Sequence, residues 1–523
     1  MKKNVFFTVF ISLIVALGGF LLGFDSAVIS GAAPFYRSIF RLEVGSGMLG
    51  FSVSSIIAGA ILGNFIGGPL SDKLGRKLVL LFTAILFSFC ALGTSLTSNL
   101  FFFILARIIG GVGVGMAILV APVYIAEISP KKYRGTLVSI NQLNIVLGIS
   151  AAYFSNYFIL NKVSSPDLNW RWMLGVGAIP AILYFLLLLL IPQSPRWLIM
   201  KKRDEEALKV LIKVGGEEYA ESLHKEIHAT LDKSNKKERV SISKVFTNRY
   251  YLILIIGFGI AFFQQITGIN AIFYYAPMIF GMAGGGRDSA FMQAAILGLT
   301  NVAFTVIAMF LIDKLGRKPL LIIGAIGITI SLSIAGFAFK KASFILSDES
   351  ISKIIETVKE SEDSRKDLDA VQKGLPFLVG KHYKNEVKFF NDVEKQIGSV
   401  NYNLFRDTIL ENSISMKAVL VLIGLIMYVA SFAISLGPVM WTLLSEIFPN
   451  KLRGIMISLV GTWNSVVSFS VATLFPVELE VYGTSTTFLV FALFGLLTLL
   501  FVLKYVPETK GKSLEEIEET LIK

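Results

Sequence analysis

Apolar runs long enough to cross a bilayer alternate along this chain with short polar breaks. A crossing helix needs about 20 mainly apolar residues. Such stretches fall near 5–29, 48–70, 77–97, 101–125, 136–160 and 170–191, and again near 250–280, 290–312, 319–340, 416–444, 454–476 and 485–505. The pattern predicts twelve transmembrane helices in an all-α polytopic membrane protein. A charged stretch, 196–246, separates the two sets, and its "RDEEALKVL" and "YAESLHKEIHATL" segments read as amphipathic surface helices. The expected organisation is a six-helix bundle over 1–195, a helical linker over 196–246, a second bundle over 247–506 and a tail over 507–523. Polar residues from about 342 to 415 interrupt the second bundle; charges such as "KESEDSRKDLDAVQK" predict a solvated helical cap, with a partner-binding segment as the alternative.

The two halves repeat each other. "SDKLGRK" at 71–77 returns as "IDKLGRK" at 312–318, and "EISPKKYRG" at 127–135 returns as "EIFPNKLRG" at 446–454. The offsets, 241 and 319 residues, differ by 78, which the 342–415 segment supplies. Many secondary transporters are built from two such repeats, with the substrate site near the membrane midplane between them. The same loops hold much of the Lys and Arg, and with Lys2 and Lys3 they fall on one face. Positive residues favour the cytoplasmic side, so both termini are expected there. "GTSLTSN" at 93–99, which has no Lys or Arg, and the insert then lie outside.

Composition agrees with this reading: 54% of residues are hydrophobic and 16% charged, against about 45–50% and about 25% in soluble domains. A net charge of +12 dispersed over short loops excludes a nucleic-acid stripe. The basic, apolar N-terminus resembles a signal peptide but lacks a cleavage site, so it is expected to remain as the first helix. Cys90 is the single cysteine, and His224, His228 and His382 lie in polar segments. They show no zinc or triad spacing and read as solvated histidines; no metal site and no enzyme chemistry are expected.

Within the apolar runs, Asp25 in "GGFLLGFDSAVISG" and Arg107 in "RIIGGVGVGMA" stand out. A charge at a bilayer centre costs about 2.5–3.5 kcal/mol or more, so the two are expected to find each other, as a structural salt bridge or as a titrating pair. Burial and a neighbouring cation act in opposite directions on a carboxylate; a conformational change that moved Arg107 relative to Asp25 would therefore bind and release a proton. At the loops, Asp72 and Arg76 recur as Asp313 and Arg317, and Glu127 and Arg134 as Glu446 and Arg453. These form a candidate inner gate whose crossed ion pairs join the bundles in one state, or else static clamps. "GGVGVG" at 110–115 imitates a phosphate loop, yet it lies inside a span and lacks the Lys-Ser/Thr; with Gly59, Gly63 and Gly67 it predicts close helix packing. Gln142, Gln264, Gln265, Asn270 and Asn301 are amides in spans, with Trp441 and Trp463 nearby. They suit a neutral, hydroxyl-rich ligand, or serve as interhelical links worth about 0.6–2 kcal/mol. Positions 264, 268 and 271 share a helical face, and Gly268 and Pro277 would loosen that helix.

The two loop repeats, "PQSPRWL" at 192–198 and "VPETKGK" at 506–512 together resemble the sugar porter family of the major facilitator superfamily. The similarity is to its bacterial proton-linked xylose and glucose symporters and covers nearly all of the chain except 342–415. It implies the major facilitator fold of two pseudo-symmetric six-helix bundles. It also implies import of a monosaccharide such as xylose or glucose with a proton, in a plasma or inner membrane, by a monomer with no cofactor beyond the proton. On that resemblance Gln142, Gln264, Gln265, Asn270 and Trp441 contact sugar, with Asn301 and Trp463 beside them. Tyr274 and Tyr275 match outer-gate aromatics, and Asp25 accompanies proton symport. Three positions depart from the family pattern: Thr462 where an amide is usual, Leu22 for a pocket aromatic, and Gly177 where the xylose symporter has a second carboxylate. A facilitative uniporter and a non-transporting sugar sensor are the alternatives.

Overall fold

The computed structural model describes residues 2–43, 45–130, 133–235, 245–246, 248–361, 366–449, 452–512 and 514–521. Among them are twelve helices apolar and long enough to span a membrane. Spans 1–6 are Phe6–Ile39, Gly47–Leu74, Arg76–Leu96, Leu100–Ile128, Arg134–Lys162 and Pro166–Leu190. Spans 7–12 are Tyr251–Gly281, Arg287–Leu315, Arg317–Lys340, Ala418–Ile447, Arg453–Tyr482 and Thr484–Tyr505. Each predicted run is found. Span 1 is longer than its apolar pattern, continuing through Pro34 to Ile39. An even number of spans puts both chain ends on one face, the terminal face; the insert lies on the other, the insert face.

Within the first half, span 1 packs on span 5 and span 4 on spans 2 and 3; within the second, span 9 packs on spans 10 and 12. Across the halves, span 2 meets span 11 and span 5 meets span 8. These crossings become equivalent when the halves are exchanged. Glycine permits the closest contacts, as expected for helices pressed together without a hydrophobic drive between them. A Cβ on Gly59 would strike the Ile108 carbonyl and one on Gly111 the Ile56 carbonyl; Gly63 and Gly115 do the same with Val112 and Ala60. The "GGVGVG" run is thus a packing surface. At the two repeated loops, Gly75 and Gly316 both take φ of +94°, a conformation that a side chain resists, and so turn the chain tightly between spans.

Three spans are broken, which periodicity alone did not indicate. Span 6 divides at Val176–Gly177 into Pro166–Gly175 and Ala178–Leu190. Span 7 divides at Thr267–Gly268 into Tyr251–Ile266 and Ile269–Gly281, with Gly268 left-handed at φ +91°. Span 10 divides at Ser435 into Ala418–Ile434 and Leu436–Ile447.

The linker forms Pro195–Met200, Asp204–Gly215 and Glu217–Asn235, while residues 236–244 fall outside the described residues. The insert holds more than the solvated cap expected from its charges. Strands β1 (Ser343–Ile345), β2 (His382–Tyr383) and β3 (Ile414–Ser415) form a sheet of order β2-β1-β3, and the Ser343↔Ser415 register closes its base. Helices Asp348–Glu360, Leu368–Gly374 and Glu386–Ser413 bury Ile354, Val358, Val371, Phe389 and Ile397 around Phe344.

The glycine seam gives a direct test. Gly111→Val forces a side chain against backbone, so it should lower the melting temperature in detergent by the equivalent of about 1–3 kcal/mol or more. Gly68→Val, where nothing lies within 4 Å of the added Cβ, should leave it unchanged. Equal melting of the two variants would refute the seam.

Candidate functional site

The break in span 7 leaves the Thr267 carbonyl between two helical segments, and the neighbouring span 10 satisfies it. Tyr428 of span 10 donates its hydroxyl to the Thr267 carbonyl at 3.0 Å, and Gln264 of span 7 donates to the Leu436 carbonyl at 2.8 Å. An amide network extends from there. Gln265 donates to Gln264 at 3.2 Å and to Asn464 at 3.1 Å, and Asn464 donates to Gln264 at 2.8 Å. Asn270 donates to Gln265 at 2.8 Å and to Ser468 at 2.6 Å. Gln264, Gln265, Asn464 and Ser468 are buried, while Asn270 is half-buried. The break also replaces the single helical face expected for 264, 268 and 271, because the helix does not continue through Gly268.

Trp441 and Trp463 stand beside this network and keep 40% and 38% of their surface exposed, the accessibility a ligand-facing aromatic needs. Trp463 stacks on Phe262 at 6.5 Å, and Trp441 lies over Gly461. Gln142 of span 5 and Asn301 of span 8 make no hydrogen bond among the described residues, which leaves their amides free. Asn464 and Ser468 were not anticipated. The unusual Thr462 turns its hydroxyl back to the Ser458 carbonyl at 2.9 Å, and the amide enters two positions later, at Asn464.

The charges of the first half do not pair as expected. Among the described residues, no ion pair within 4.0 Å joins Asp25 to Arg107. Asp25 is partly exposed and faces Cys90 of span 3, whose Sγ lies 3.9 and 4.0 Å from its two oxygens. Cys90 also lodges against Gly110, one turn along span 4 from Arg107. Arg107 is fully buried; it donates from Nη2 to the Val53 carbonyl at 2.9 Å, while Nε and Nη1 have no partner.

At the terminal face each predicted gate cluster closes within its own half. Arg76 meets Asp72 at 3.1 Å and Glu127 at 3.0 Å, and Arg317 meets Asp313 at 3.3 Å and Glu446 at 2.7 Å. The two further motifs complete the symmetry. Ser194 donates to Glu127 at 2.5 Å as Thr509 does to Glu446 at 2.6 Å. Gln193 accepts from the Lys77 amide as Glu508 accepts from the amides of Arg317 and Lys318. Burial pushes the Glu508 carboxyl up, but those amides and the amides of Thr509 and Lys510 outweigh it and hold it low. With both glutamates so occupied, Arg134 is exposed and Arg453 donates to the Phe448 carbonyl at 3.2 Å.

The halves are tied together on the insert side. Tyr153 of span 5 donates to the Phe273 carbonyl of span 7 at 2.6 Å, and Ser54 and Thr473 of spans 2 and 11 bond at 2.6 Å. Tyr274 and Tyr275 are buried there, with the Tyr275 hydroxyl on the Ala472 carbonyl at 3.1 Å. A further tie comes from the insert. Arg406 reaches Glu480 of span 11 at 3.1 Å, while its neighbour Asp407 reaches Arg37 of span 1 at 2.6 Å. On the terminal side a cavity of about 330 Å³ opens between Asn64, Pro69 and Val120 of the first half and Ser458 of the second. The arrangement is closed at the insert face and open toward the terminal face.

A model of the family described as "Sugar (and other) transporter" matches residues 11–358 and 404–521. This chain belongs to the sugar transporter family. The arabinose-proton symporter of Bacillus subtilis is 35% identical, over 99% of this chain and 96% of that protein. The glucose transport protein of Synechocystis is 33% identical, over 98% and 97%. Among solved structures, the inward open conformation of the xylose transporter from Escherichia coli matches with a TM-score of 0.73 and 31% identity, over 98% of this chain and 99% of that one. The likeness to an inward open structure agrees with the ties on the insert side. The internal stretch of this sugar transporter between the two matched ranges, 359–403, lies within the insert.

The insert tie has a predictable pH response. Desolvation pushes the Asp407 carboxyl up, but the Arg37 and Arg406 guanidiniums outweigh it and hold it below the ordinary carboxylate range. A carboxylate held low stays charged above that range, and its stabilising contribution is lost only as pH falls through the lowered value. Asp407 is half exposed, so the pair contributes about 0–1 kcal/mol. Spin labels on spans 2 and 11 at the insert face should show Asp407→Asn populating the separated form up to about fivefold more. The wild type should hold its distances between pH 8 and pH 5 and loosen only in stronger acid. Unchanged distances in the variant would remove the tie from the account.

Proposed function

We propose that this transporter imports a neutral monosaccharide, a pentose or hexose such as xylose or glucose, together with one proton, by alternating access. The observation that carries the reading is the pairing of two unlike sites. A neutral amide cluster with two accessible tryptophans sits at the breaks of spans 7 and 10, and an unpaired, partly exposed Asp25 lies in span 1. Sugar hydroxyls both donate and accept, as amides do, and an apolar ring face suits indole. In this proposal Gln142, Asn270 and Asn301 hold the sugar with Trp441 and Trp463. Gln264, Gln265 and Asn464 set the geometry, Tyr274 and Tyr275 close the outer side, and the Arg76 and Arg317 clusters stiffen the inner ends.

The terminal face is cytoplasmic in this proposal, since the repeated basic loops lie there. Each chain contains both halves of the site and works as a monomer, with the proton as its only coupling partner. A membrane potential supplies about 2.3 kcal/mol per charge per 100 mV. One proton per sugar at about 150 mV then supports roughly 300-fold accumulation, at about 1.4 kcal/mol per tenfold.

Facilitative uniport is the second reading, and Gly177 is the observation that favours it. A Cβ there would lie 3.4 Å from the Phe24 ring, so an aromatic occupies the neighbourhood where a second carboxylate would stand. Proteoliposomes separate the two. Symport requires that sugar addition raise the external pH, that Asp25→Asn abolish uphill uptake, and that sugar exchange survive in that variant. Concentrative uptake by Asp25→Asn would eliminate coupling through this residue. For the sugar site, Asn270→Ala should raise KM by about 5–30-fold, the loss of one or two hydrogen bonds, with the melting temperature as the check on folding.

A further inference from the structure

The linker brings together three groups that the transport site does not use. His224 and His228 lie one turn apart on the helix Glu217–Asn235, so both rings leave the same face. Asp204 opens the neighbouring helix, Asp204–Gly215. Both Nε2 atoms converge on one carboxylate oxygen, Oδ1 of Asp204, at 2.8 and 2.7 Å. The two rings meet edge to face with centroids 4.6 Å apart, and the three ligand atoms all lie within 4.8 Å of one another. The histidines, expected to be solvated, instead gather on one carboxylate, and their four-residue spacing on a helix is the signal for it.

We propose that Asp204, His224 and His228 form a binding site for a divalent transition-metal ion of the zinc type. Imidazole and carboxylate together suit zinc, nickel, cobalt and copper rather than magnesium or calcium, which prefer oxygen alone. Ligand atoms about 2.0–2.2 Å from a tetrahedral zinc stand roughly 3.3–3.5 Å apart. The two histidine–Asp204 separations therefore need to open by only about half an ångström, and the histidine nitrogens already lie within 4.8 Å of each other, within reach of small side-chain rotations. Side-chain exposures of 19% for His224, 43% for His228 and 39% for Asp204 leave a path for the ion and room for water as a fourth ligand. The bound ion would staple the two linker helices, the first of which packs against span 1.

The chain offers little competition for such an ion, having one buried cysteine and a single other histidine, His382 on the insert. The test uses the full chain in detergent, purified without a polyhistidine tag, with zinc followed by calorimetry and cobalt by visible absorption. The expected result is one zinc per chain and a cobalt spectrum of a tetrahedral nitrogen-oxygen site. The double variant His224→Asn/His228→Asn should weaken zinc at least tenfold, Asp204→Asn should weaken it less, and His382→Asn should leave it unchanged. A metal-free melting temperature equal to wild type shows that the variants are folded. The wild-type cobalt spectrum gives a reading that depends on no variant: an octahedral, water-like spectrum overturns the proposal. Equal zinc affinity in wild type and the double variant overturns it as well.

Discussion

A backbone carbonyl freed inside hydrocarbon has no water to accept from, and leaving it unsatisfied costs several kcal/mol. This constraint governs the middle of the second half. Spans 7 and 10 both break there; Tyr428 of span 10 satisfies the Thr267 carbonyl freed in span 7, and Gln264 of span 7 adds a bond to the Leu436 carbonyl in the first turn of the second segment of span 10. The need to satisfy broken backbone gathers neutral hydrogen-bonding groups at one depth, where a neutral polyol can also be recognised. It separates the roles of the amides too. The Gln264 oxygen accepts from both Gln265 and Asn464 while its nitrogen holds span 10, so this residue is largely committed to the fold. Asn270, half-buried at the start of the second segment, retains capacity for a ligand.

The first half meets the same constraint differently. Spans 1 and 4, the counterparts of 7 and 10, run unbroken through Phe6–Ile39 and Leu100–Ile128, and they carry charges in place of amides. Chemistry is therefore divided between the halves, with the acid on one and the neutral donors on the other. The terminal-face clusters keep the halves distinct. Arg76 and Glu127 are both buried, and breaking such a pair costs about 3–5 kcal/mol. That pair, with the half-buried Arg317 and Glu446 pair in the other half, stiffens each half and leaves weaker contacts to decide how the two meet.

The spans were legible because length and hydropathy report them directly, and the repeats were legible because "DKLGRK" and "EIxPxKxRG" survive in both halves. The breaks were only half legible. Gly268 and Pro277 marked span 7, but in "ISLGPVMW" the break falls at Ser435, before the Gly437–Pro438 pair that could have flagged it. Asn464 was not legible because the family pattern puts the amide at position 462, on the other side of Trp463. The pairs within each half were not legible, because a sequence shows which charges recur but not which carboxylate oxygens are taken by Ser194 and Thr509. In the insert, charge density concealed Arg406, which is 2% exposed and held between Tyr402 and Glu480.

The separation of Asp25 from Arg107 has a direction that fits import. Arg107 is buried with two of its nitrogens unpartnered, which is costly for a charged group. A charged Asp25 is attracted to it by about 4 kcal/mol at contact for an effective dielectric near 20. That pull opposes the present arrangement, in which the two form no ion pair within 4.0 Å and the molecule is open toward the terminal face. A proton on Asp25 removes the pull and so favours this arrangement over its opposite. Release of the proton on the terminal side restores the attraction and favours closure there. In the proposed cycle this attraction acts together with the bound sugar and the insert-face ties, and it calls for no second carboxylate near Gly177.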